Sequence, residues 1–405
     1  MSQTIRSLLA VLVGVAVVGF AADHVVNSPG FILPKDFLEY WAAGRLNLRG
    51  ENPYDPQKLL AEQRTVQPDR PGAVMMWNPP PSLALYMPLG LLPAKWASLV
   101  GVVVQFAAVM LACFLLAKEY APGRWWLAPV VGFACVGTWW VITYGQNTGL
   151  LVLGLAGFLH FTQREKPLAA GACAALTALK PHLLAGFGVV LIIDALTRRG
   201  RVALAAGIGV IAVSLGIALS TNPSVLSQFI AALREPGPGA VALHDWTLPV
   251  PAYWLRMALA PNNFLVQFLP CVLACIGLAV WRIRAARAWD WKQALPAIVT
   301  LSVLTTPYGG WIFDLPVLLV PMMWCAARLA SAGQWGLLGV FLVGQLAIVV
   351  VTFATPGALH AYWWVAPAAL GLCLLGFVGT GTAQESRRGF TAENAKDAEK
   401  DRSKQ

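Results

Sequence analysis

Residues 97–117 read ASLVGVVVQFAAVMLACFLLA, and this stretch contains no charged residue. A helix that crosses a membrane needs about 20 predominantly apolar residues, and the stretch is long enough. Similar apolar runs occur along the rest of the chain, at 7–22, 125–142, 150–162, 167–181, 183–196, 202–219, 263–281, 293–306, 313–327, 334–353 and 362–380. The sequence therefore predicts an all-α polytopic membrane protein with about 12 spans. The shorter runs 150–162, 183–196 and 293–306 are expected to be tilted, broken or re-entrant.

The composition excludes most other classes of protein. Apolar residues make up 58% of the 405-residue chain, charged residues only 12%, and the mean hydropathy is +0.64. Soluble domains carry about 25% charged residues, so a soluble enzyme, a disordered chain and a coiled coil are all excluded. The net charge of +10 comes without a basic block interleaved with aromatics, so we expect no nucleic-acid partner. The seven cysteines have no metal-ligand spacing, and we expect neither a metal site nor a cofactor.

The basic residues indicate how the chain is oriented in the membrane. If Arg6 is cytoplasmic, the loops that face inward carry Lys118 and Arg124, Arg164 and Lys166, Arg198, Arg199 and Arg201, Arg282, Arg284, Arg287 and Lys292, and Arg328. The short outward turns 143–149, 307–312 and 354–361 carry no Lys or Arg. Cytoplasmic loops accumulate basic residues, so we predict an even number of spans with both termini in the cytoplasm.

The chain divides into a membrane domain, 1–383, and a polar tail, 384–405. Two long segments of the membrane domain, 23–96 and 220–262, face outward, and short interfacial helices are expected in the first. The tail is rich in Ala, Glu, Lys and Asp and is predicted to be disordered and cytoplasmic. The run 7–22 fits either a cleaved signal peptide or a first span. We interpret it as an uncleaved span of a protein of the inner (plasma) membrane.

Acidic residues near the membrane are the informative candidates, because no soluble catalytic motif is present and such carboxylates are costly. Asp36 and Glu39 have the spacing of a helix capping box, which from the residues alone is the commoner role; catalysis is the alternative. In that segment the aromatics of residues 37–41 recur at helical spacing and predict one apolar helix face. Asp55 is expected to cap a helix that begins with Pro56. Asp314 either binds substrate or satisfies backbone groups near Pro307.

Polar residues in the outward turns are the remaining candidates. Lys180 could neutralise a phosphate at the bilayer surface or could snorkel there. Gln146 and Asn147 could bind sugar hydroxyls or merely close a helical hairpin. The pair His244 and Asp245 could act as acid and base, could bind sugar, or could belong to a solvated loop. His160 and His360 have no evident partner in the sequence.

These motifs together resemble a known family. Asp36-Phe37-Leu38-Glu39-Tyr40-Trp41-Ala42-Ala43-Gly44, followed by Asn52-Pro53-Tyr54-Asp55, is similar to the first outer loop of the polyprenyl-phosphate-mannose-dependent mannosyltransferases. These enzymes form glycosyltransferase family 87 and have the GT-C membrane fold. Further motifs follow in the matching order over roughly residues 30–320: Pro79-Pro80-Pro81, Pro88-Leu89-Gly90-Leu91-Leu92-Pro93, Tyr144-Gly145-Gln146-Asn147, Lys180-Pro181, and Pro307-Tyr308 with Asp314. The second outer segment departs from the family, because His244-Asp245-Trp246-Thr247 replaces an Asn-Gln-Ser-like stretch, and this leaves the acceptor and the donor sugar open.

The resemblance implies a catalytic Asp in the first outer loop, which transfers to Asp36 and favours catalysis there. It implies inverting transfer of a sugar, mannose in the family, from a polyprenyl-phosphate donor to a lipid or glycan acceptor on the outer face. The phosphate that leaves would need a cation, with Lys180 as first choice and Arg256 or Lys35 as alternatives. We expect substrate contacts from Lys35, Glu39, Tyr40, Tyr54, Gln146, Asn147, Lys180, His182, His244, Asp245, Arg256, Tyr308 and Asp314. A flippase or transporter of lipid-linked sugars is the alternative function, and a scaffold that binds glycolipid is a third.

Overall fold

The structure is a computed structural model of the chain, and it describes residues 33–235 and 237–377 together with Asp23 and Val26. The predicted first span 7–22 and the predicted tail 384–405 lie outside the described residues. All regular elements within the described residues are helical, which confirms the all-α prediction. The α-helices, in chain order, are α1 Phe37–Leu48, α2 Pro56–Arg64, α3 Leu83–Gly90, α4 Ala94–Tyr120, α5 Leu127–Ala134, α6 Val136–Tyr144, α7 Thr148–Thr162, α8 Pro167–Ala174, α9 Ala185–Asp194, α10 Arg198–Thr221, α11 Val225–Arg234, α12 Pro251–Leu259, α13 Leu269–Ala285, α14 Trp291–Thr305, α15 Leu319–Ser331, α16 Trp335–Ala354 and α17 Val365–Cys373. Short 3₁₀ segments precede or link them at Pro80–Ser82, Ala175–Leu179, Pro181–Leu184, Leu243–Asp245, Phe264–Phe268, Ala286–Ala288, Ile312–Leu318 and Leu359–Trp364.

Several of these helices are long and apolar enough to cross a membrane, which confirms a multi-pass membrane protein. In the part of the chain that the structure describes there are 6, namely Ala94–Tyr120, Arg198–Thr221, Phe264–Ala288, Ile312–Ser331, Trp335–Ala354 and Leu359–Phe377. The bent pair α5 and α6 would make a seventh span. The runs expected to be short form shorter helices, and α7 and α14 have 15 residues each. A helix of that length covers only about 22 Å of a core that is about 30 Å thick. The count of about 12 spans stays a prediction.

The bend between α5 and α6 has an identifiable cause in the backbone. Cys135 is extended, with ψ 120°, and the two helices meet at 65°. The hydroxyl of Thr138 donates to the carbonyl oxygen of Gly132 at 2.7 Å. A side-chain hydroxyl that satisfies a carbonyl near a break allows a helix to kink without leaving that group unpaired.

The chain forms two compact units. Unit 1 comprises the described residues up to Val104 together with Thr143–Gly145 and Ser214–Ala242. Unit 2 comprises Gln105–Ile142, Gln146–Val213 and the described residues from Leu243 onward.

In unit 1, α1 is enclosed around its whole circumference. Phe37, Leu38, Tyr40 and Trp41 are all at most 3% exposed, so burial of α1 extends beyond the aromatic face that the spacing predicts. Helix α3 packs directly on α1, and a Cβ added at Gly44 would lie 2.3 Å from the carbonyl oxygen of Tyr86. The missing side chain therefore lets the two backbones approach, and the rings of Tyr40 and Tyr86 stack with centroids 4.4 Å apart.

In unit 2, the apolar helices differ in what surrounds them. The span Ile312–Ser331 is almost wholly buried among other helices of the unit, whereas most of Trp335–Ala354 is exposed. A helix that is apolar all round is stable either inside a protein or against lipid. We infer that the first forms the core of the unit and that the second faces acyl chains.

Candidate functional site

Asp36 lies in unit 1, directly before α1. Its backbone N–H donates to the carbonyl oxygen of Tyr144 at 3.1 Å. Its side chain makes no capping hydrogen bond with α1, so the predicted capping box is wrong. The residue is half-buried, and its charge acts on Arg70, where burial lowers the pKa of the guanidinium and the negative charge of Asp36 opposes that shift. Asp36 is thus partly accessible from the surface, and its side chain does not cap α1.

The other predicted residues of this segment differ in exposure. Glu39 is buried beside Tyr40, and burial raises the pKa of the Tyr40 phenol well above its usual value, with further contributions from the charge of Glu39 and a hydrogen bond to it. Tyr54 is buried, and its hydroxyl donates to the carbonyl oxygen of Asn78 at 3.1 Å. Lys35 is exposed. These environments give the two tyrosines structural roles inside the unit, and of these four residues Lys35 alone is exposed.

Asp55 behaves as predicted. Its carboxylate accepts hydrogen bonds from the backbone N–H groups of Gln57 at 2.8 Å and Lys58 at 3.1 Å, and Pro56 occupies the first position of α2. This is N-capping by an Asp followed by a proline that has no N–H to satisfy.

A second group of predicted residues comes together in unit 2 around Lys180. The ammonium of Lys180 lies 2.6 Å from Oδ1 of Asp314 and donates to Oε1 of Gln146 at 2.8 Å. The hydroxyl of Thr148 donates to the same Asp314 oxygen at 3.1 Å. Lys180 is only 8% exposed and Asp314 only 1%. The cluster is a buried ion pair with polar support, so the positive charge of Lys180 is neutralised inside the protein.

Asp314 also satisfies the backbone near Pro307, as one of its two predicted roles requires. Its second oxygen, Oδ2, accepts from the backbone N–H of Trp311 at 3.1 Å. The preceding turn uses positive φ angles at Gly309 (72°) and Gly310 (64°). A Cβ at Gly309 would lie 2.7 Å from Nε2 of His182, so a side chain there would collide with that ring as well as strain the backbone. Both carboxylate oxygens of Asp314 therefore have protein partners.

His182 and Tyr308 form an aromatic pair in the turns next to this cluster. Their rings stack with centroids 4.2 Å apart and an interplanar angle of 27°. His182 lies in the turn that follows Lys180, outside the six long spans, and burial lowers its pKa to about 4 although the charge of Asp314 opposes the shift. Burial raises the pKa of the Tyr308 phenol. The lowered pKa favours the neutral imidazole, which stacks on the Tyr308 ring.

Arg256 is a buried cation of a different kind. It is 5% exposed, and its Nη1 donates to the carbonyl oxygen of His244 at 3.0 Å. Its guanidinium carbon lies 5.4 Å from the ring centre of Tyr253 and 5.5 Å from that of Phe264. The residues that the structure describes offer it no carboxylate within ion-pair distance, and its Nε has no hydrogen-bond partner among them. A buried charge that no carboxylate neutralises is costly, so this guanidinium is a candidate to bind an anion.

The remaining candidates in unit 2 are spread between surface and core. His244 and Asp245 are both exposed, with Nε2 of the histidine 3.4 Å from Oδ1 of the aspartate. Asn147 is 1% exposed and stands directly before α7. No group of three His, Cys, Asp or Glu side chains within the described ranges is arranged to hold a metal ion.

Sequence reasoning missed Thr148 and the partners of His160. Nδ1 of His160 lies 2.7 Å from Oε1 of Glu119, and Arg164 donates to the same oxygen at 2.6 Å. The interpretation of His160 as a histidine without a partner is therefore wrong. Its spacing of four residues from Arg164 was a usable signal, because such residues share a helix face. Glu119 lies on another helix, α4, and no local pattern could have identified it.

Comparison with known proteins places the chain in a family. The family model of glycosyltransferase family 87 matches residues 77–307, a little over half of the chain. The matched range includes Gln146, Lys180, His182 and Arg256; Asp36 precedes it and Asp314 follows it. No curated protein and no solved structure matches the chain. With its apolar spans, the chain therefore belongs to glycosyltransferase family 87 and is a multi-pass membrane glycosyltransferase.

Proposed function

We propose that this protein transfers a sugar, mannose as first choice, from a polyprenyl-phosphate donor to a lipid or glycan acceptor at the outer face of the plasma membrane. The observation that carries the proposal is the buried Arg256 guanidinium, which no carboxylate in the described ranges neutralises. Such a cation is suited to an anion that arrives with the substrate. A prenyl chain on that anion explains why the enzyme is embedded in apolar helices, and a GT-C bundle with cytoplasmic termini fits the charge pattern of the loops.

The chemistry of the donor supports a role for Arg256 in particular. When the bond between the anomeric carbon and the phosphate oxygen breaks, the leaving group is a lipid phosphate monoester that carries negative charge. It requires positive charge nearby rather than a general acid. A guanidinium binds phosphate through two parallel N–H donors, which a lysine cannot do. Within the described residues the Nε of Arg256 has no hydrogen-bond partner, and its Nη2 donates to the weakly accepting sulfur of Met257 at 3.9 Å.

Lys180 was the first choice for this charge, and its surroundings favour a different role. Its ammonium is paired with Asp314, so the pair as a whole brings no net charge to a phosphate. Lys180 also holds Gln146, which stands directly before Asn147 and α7. We assign Lys180 to positioning the outward turn at residues 146–148, and we assign Arg256 to the donor phosphate.

Asp36 is the proposed general base. The oxygen of the acceptor hydroxyl attacks the anomeric carbon, and the proton of that hydroxyl passes to the Asp36 carboxylate. The new carbon–oxygen bond forms as the bond between the anomeric carbon and the phosphate oxygen breaks. One carboxylate suffices for a single displacement with inversion. The position of this carboxylate, half-buried directly before α1, supports the role, because a general base must be within reach of the acceptor hydroxyl.

A transfer assay tests the proposed function directly. Full-length protein in phosphatidylcholine vesicles would be given radiolabelled polyprenyl-phosphate mannose and, separately, the glucose analogue, with an envelope lipid extract as acceptor source. We expect label to move from the donor to the extract with inverted anomeric configuration. Movement of intact donor across the bilayer without bond cleavage would replace the transferase proposal by the flippase. If folded protein transfers label from neither donor, a polyprenyl-phosphate sugar is excluded as the substrate.

Replacing Arg256 tests which cation meets the phosphate. In Arg256→Gln we expect kcat/KM for the polyprenyl-phosphate sugar to fall by about 10²–10³-fold. The variant loses the N–H groups and the positive charge that stabilise the developing negative charge on the phosphate. Arg256→Lys should recover only part of that loss, since it cannot bind bidentately. Arg234→Gln, at the exposed end of α11, is the matched control and should leave the rate unchanged. Wild-type kcat/KM in Arg256→Gln would contradict the assignment.

A further inference from the structure

A second polar site lies in unit 2, at the end that the loop charges place in the cytoplasm. There a cavity of about 370 Å³ opens where α10 begins and where the span Phe264–Ala288 ends. Its walls include Lys166, Arg198, Arg199, Arg282 and Arg287, against only two acidic residues, Glu165 and Asp194. The aromatic side chains of Phe158 and Trp291 also line it, with ring centres 4.7 Å apart. The cavity is thus strongly basic around an apolar wall.

Internal ion pairs neutralise only part of this charge. Arg282 is buried and pairs with Asp194 at 2.6 Å, and Arg199 pairs with Glu165 at 2.8 Å. Lys166, Arg198 and Arg287 are exposed at the rim, and within the described ranges no acidic side chain lies within ion-pair distance of them. Three cations that converge on one cavity therefore remain available to an anion from outside the protein.

The position of the cavity relative to the spans identifies the kind of anion. Two long membrane-crossing helices end at its rim, so it lies at the depth of the lipid headgroups. Large apolar side chains stand exposed immediately beside its lining residues: Leu168 is 67% exposed, Leu196 77% and Ile283 59%. In a protein with membrane-crossing helices, exposed apolar side chains at this depth are suited to contact lipid. Acyl chains would cover them, with a headgroup in the cavity.

We propose that this cavity binds the phosphate headgroup of an anionic phospholipid of the inner leaflet. The basic rim holds the phosphate oxygens, the dipole of α10 has its positive end at the cavity, and the exposed apolar residues contact the chains. The site is separate from the outer residues assigned to sugar transfer, so it stands or falls independently of the proposed reaction.

Native mass spectrometry of the full-length protein tests this site. Protein in detergent would be titrated with dioleoyl phosphatidylglycerol or dioleoyl phosphatidylcholine. We expect selective binding of the anionic lipid. In the triple variant Lys166→Gln/Arg198→Gln/Arg287→Gln the affinity should fall about 100-fold, because each basic residue near a headgroup contributes roughly fivefold. The single variant Arg287→Gln should bind the anionic lipid about fivefold more weakly than wild type. It replaces the triple variant in the test if the triple variant does not fold.

A charge-matched variant separates this site from general attraction to the inner surface. Lys118→Gln/Arg284→Gln/Lys292→Gln removes the same number of inner charges, yet none of the three lines the cavity. Its affinity for the anionic lipid should stay within about twofold of the wild-type affinity. That change is smaller than the roughly fivefold loss expected when one lining cation is removed. Equal losses in both triple variants, or no loss in either, would overturn the proposal. Binding of inorganic phosphate alone, with full displacement of the lipid by it, would instead make the cavity a site for a soluble anion.

Discussion

Sugar transfer by the Asp36→Asn variant is expected to be about 10²–10⁴-fold slower than by the wild type, because the amide cannot accept the proton of the acceptor hydroxyl. The loss should appear in kcat and not in KM. The amide has nearly the size of the carboxylate, and Asp36 is not assigned to the donor phosphate, so binding of the donor should be unchanged. The measurement is single-turnover transfer from radiolabelled polyprenyl-phosphate mannose in vesicles. The free energy of unfolding, measured in parallel, separates this loss of rate from any loss of folded protein.

Asp55→Asn provides the matched control for this prediction. Asp55 is the other acidic residue at the start of a helix in the same outer segment, and its carboxylate caps α2 through Gln57 and Lys58. Asparagine caps nearly as well as aspartate, so this variant should retain both its fold and its transfer rate. Full activity of a folded Asp36→Asn protein would remove the catalytic assignment. Equal loss in both variants would indicate a general effect of charge in the segment.

Replacing Lys180 by Met is expected to destabilise the protein by about 3–5 kcal/mol, the cost of breaking a buried ion pair from one side. The carboxylate of Asp314, 1% exposed, would keep its bonds to Thr148 and to the Trp311 N–H but would lose its only cation within the described residues. The free energy of unfolding in detergent, measured by denaturant titration, checks this.

A double variant distinguishes a structural pair from a substrate-binding lysine. Lys180→Met/Asp314→Asn removes both charges and should recover much of the lost stability, since interactions between partners are not additive. Lys58→Met breaks an exposed pair with Glu51 and should cost only about 0–1 kcal/mol. If Lys180→Met unfolds like wild type while its KM for the donor rises sharply, the lysine meets the phosphate and the role proposed for Arg256 is wrong.

Local patterns of sequence were sufficient for much of the fold. The apolar runs correspond to helices throughout the described residues, including runs too short to span the membrane in one straight helix. The cap at Asp55 was also predictable, because the carboxylate and the N–H groups it satisfies are two and three residues apart. The motif order pointed to the family that the comparison then showed over residues 77–307.

Other predictions failed where the interacting residue or helix is distant in the sequence. Asp36 and Glu39 have the spacing of a capping box, yet Asp36 does not cap α1, and α1 is buried against α3, which begins only at Leu83. His160 finds Glu119, which is 41 positions away. Lys180 finds Asp314, which is 134 positions away, and thereby ceases to be a free cation.

The sequence by itself determined the all-helical membrane class and the cap at Asp55, and through the charge of its loops it predicts an orientation in the membrane. Hydrophobic period, capping geometry and loop charge all depend on residues close together in the chain. Only the tertiary structure decided which charges neutralise one another and which stay available to a ligand. Pairing inside a protein depends on distances of a few ångströms between helices, and those distances follow from packing that no local pattern records.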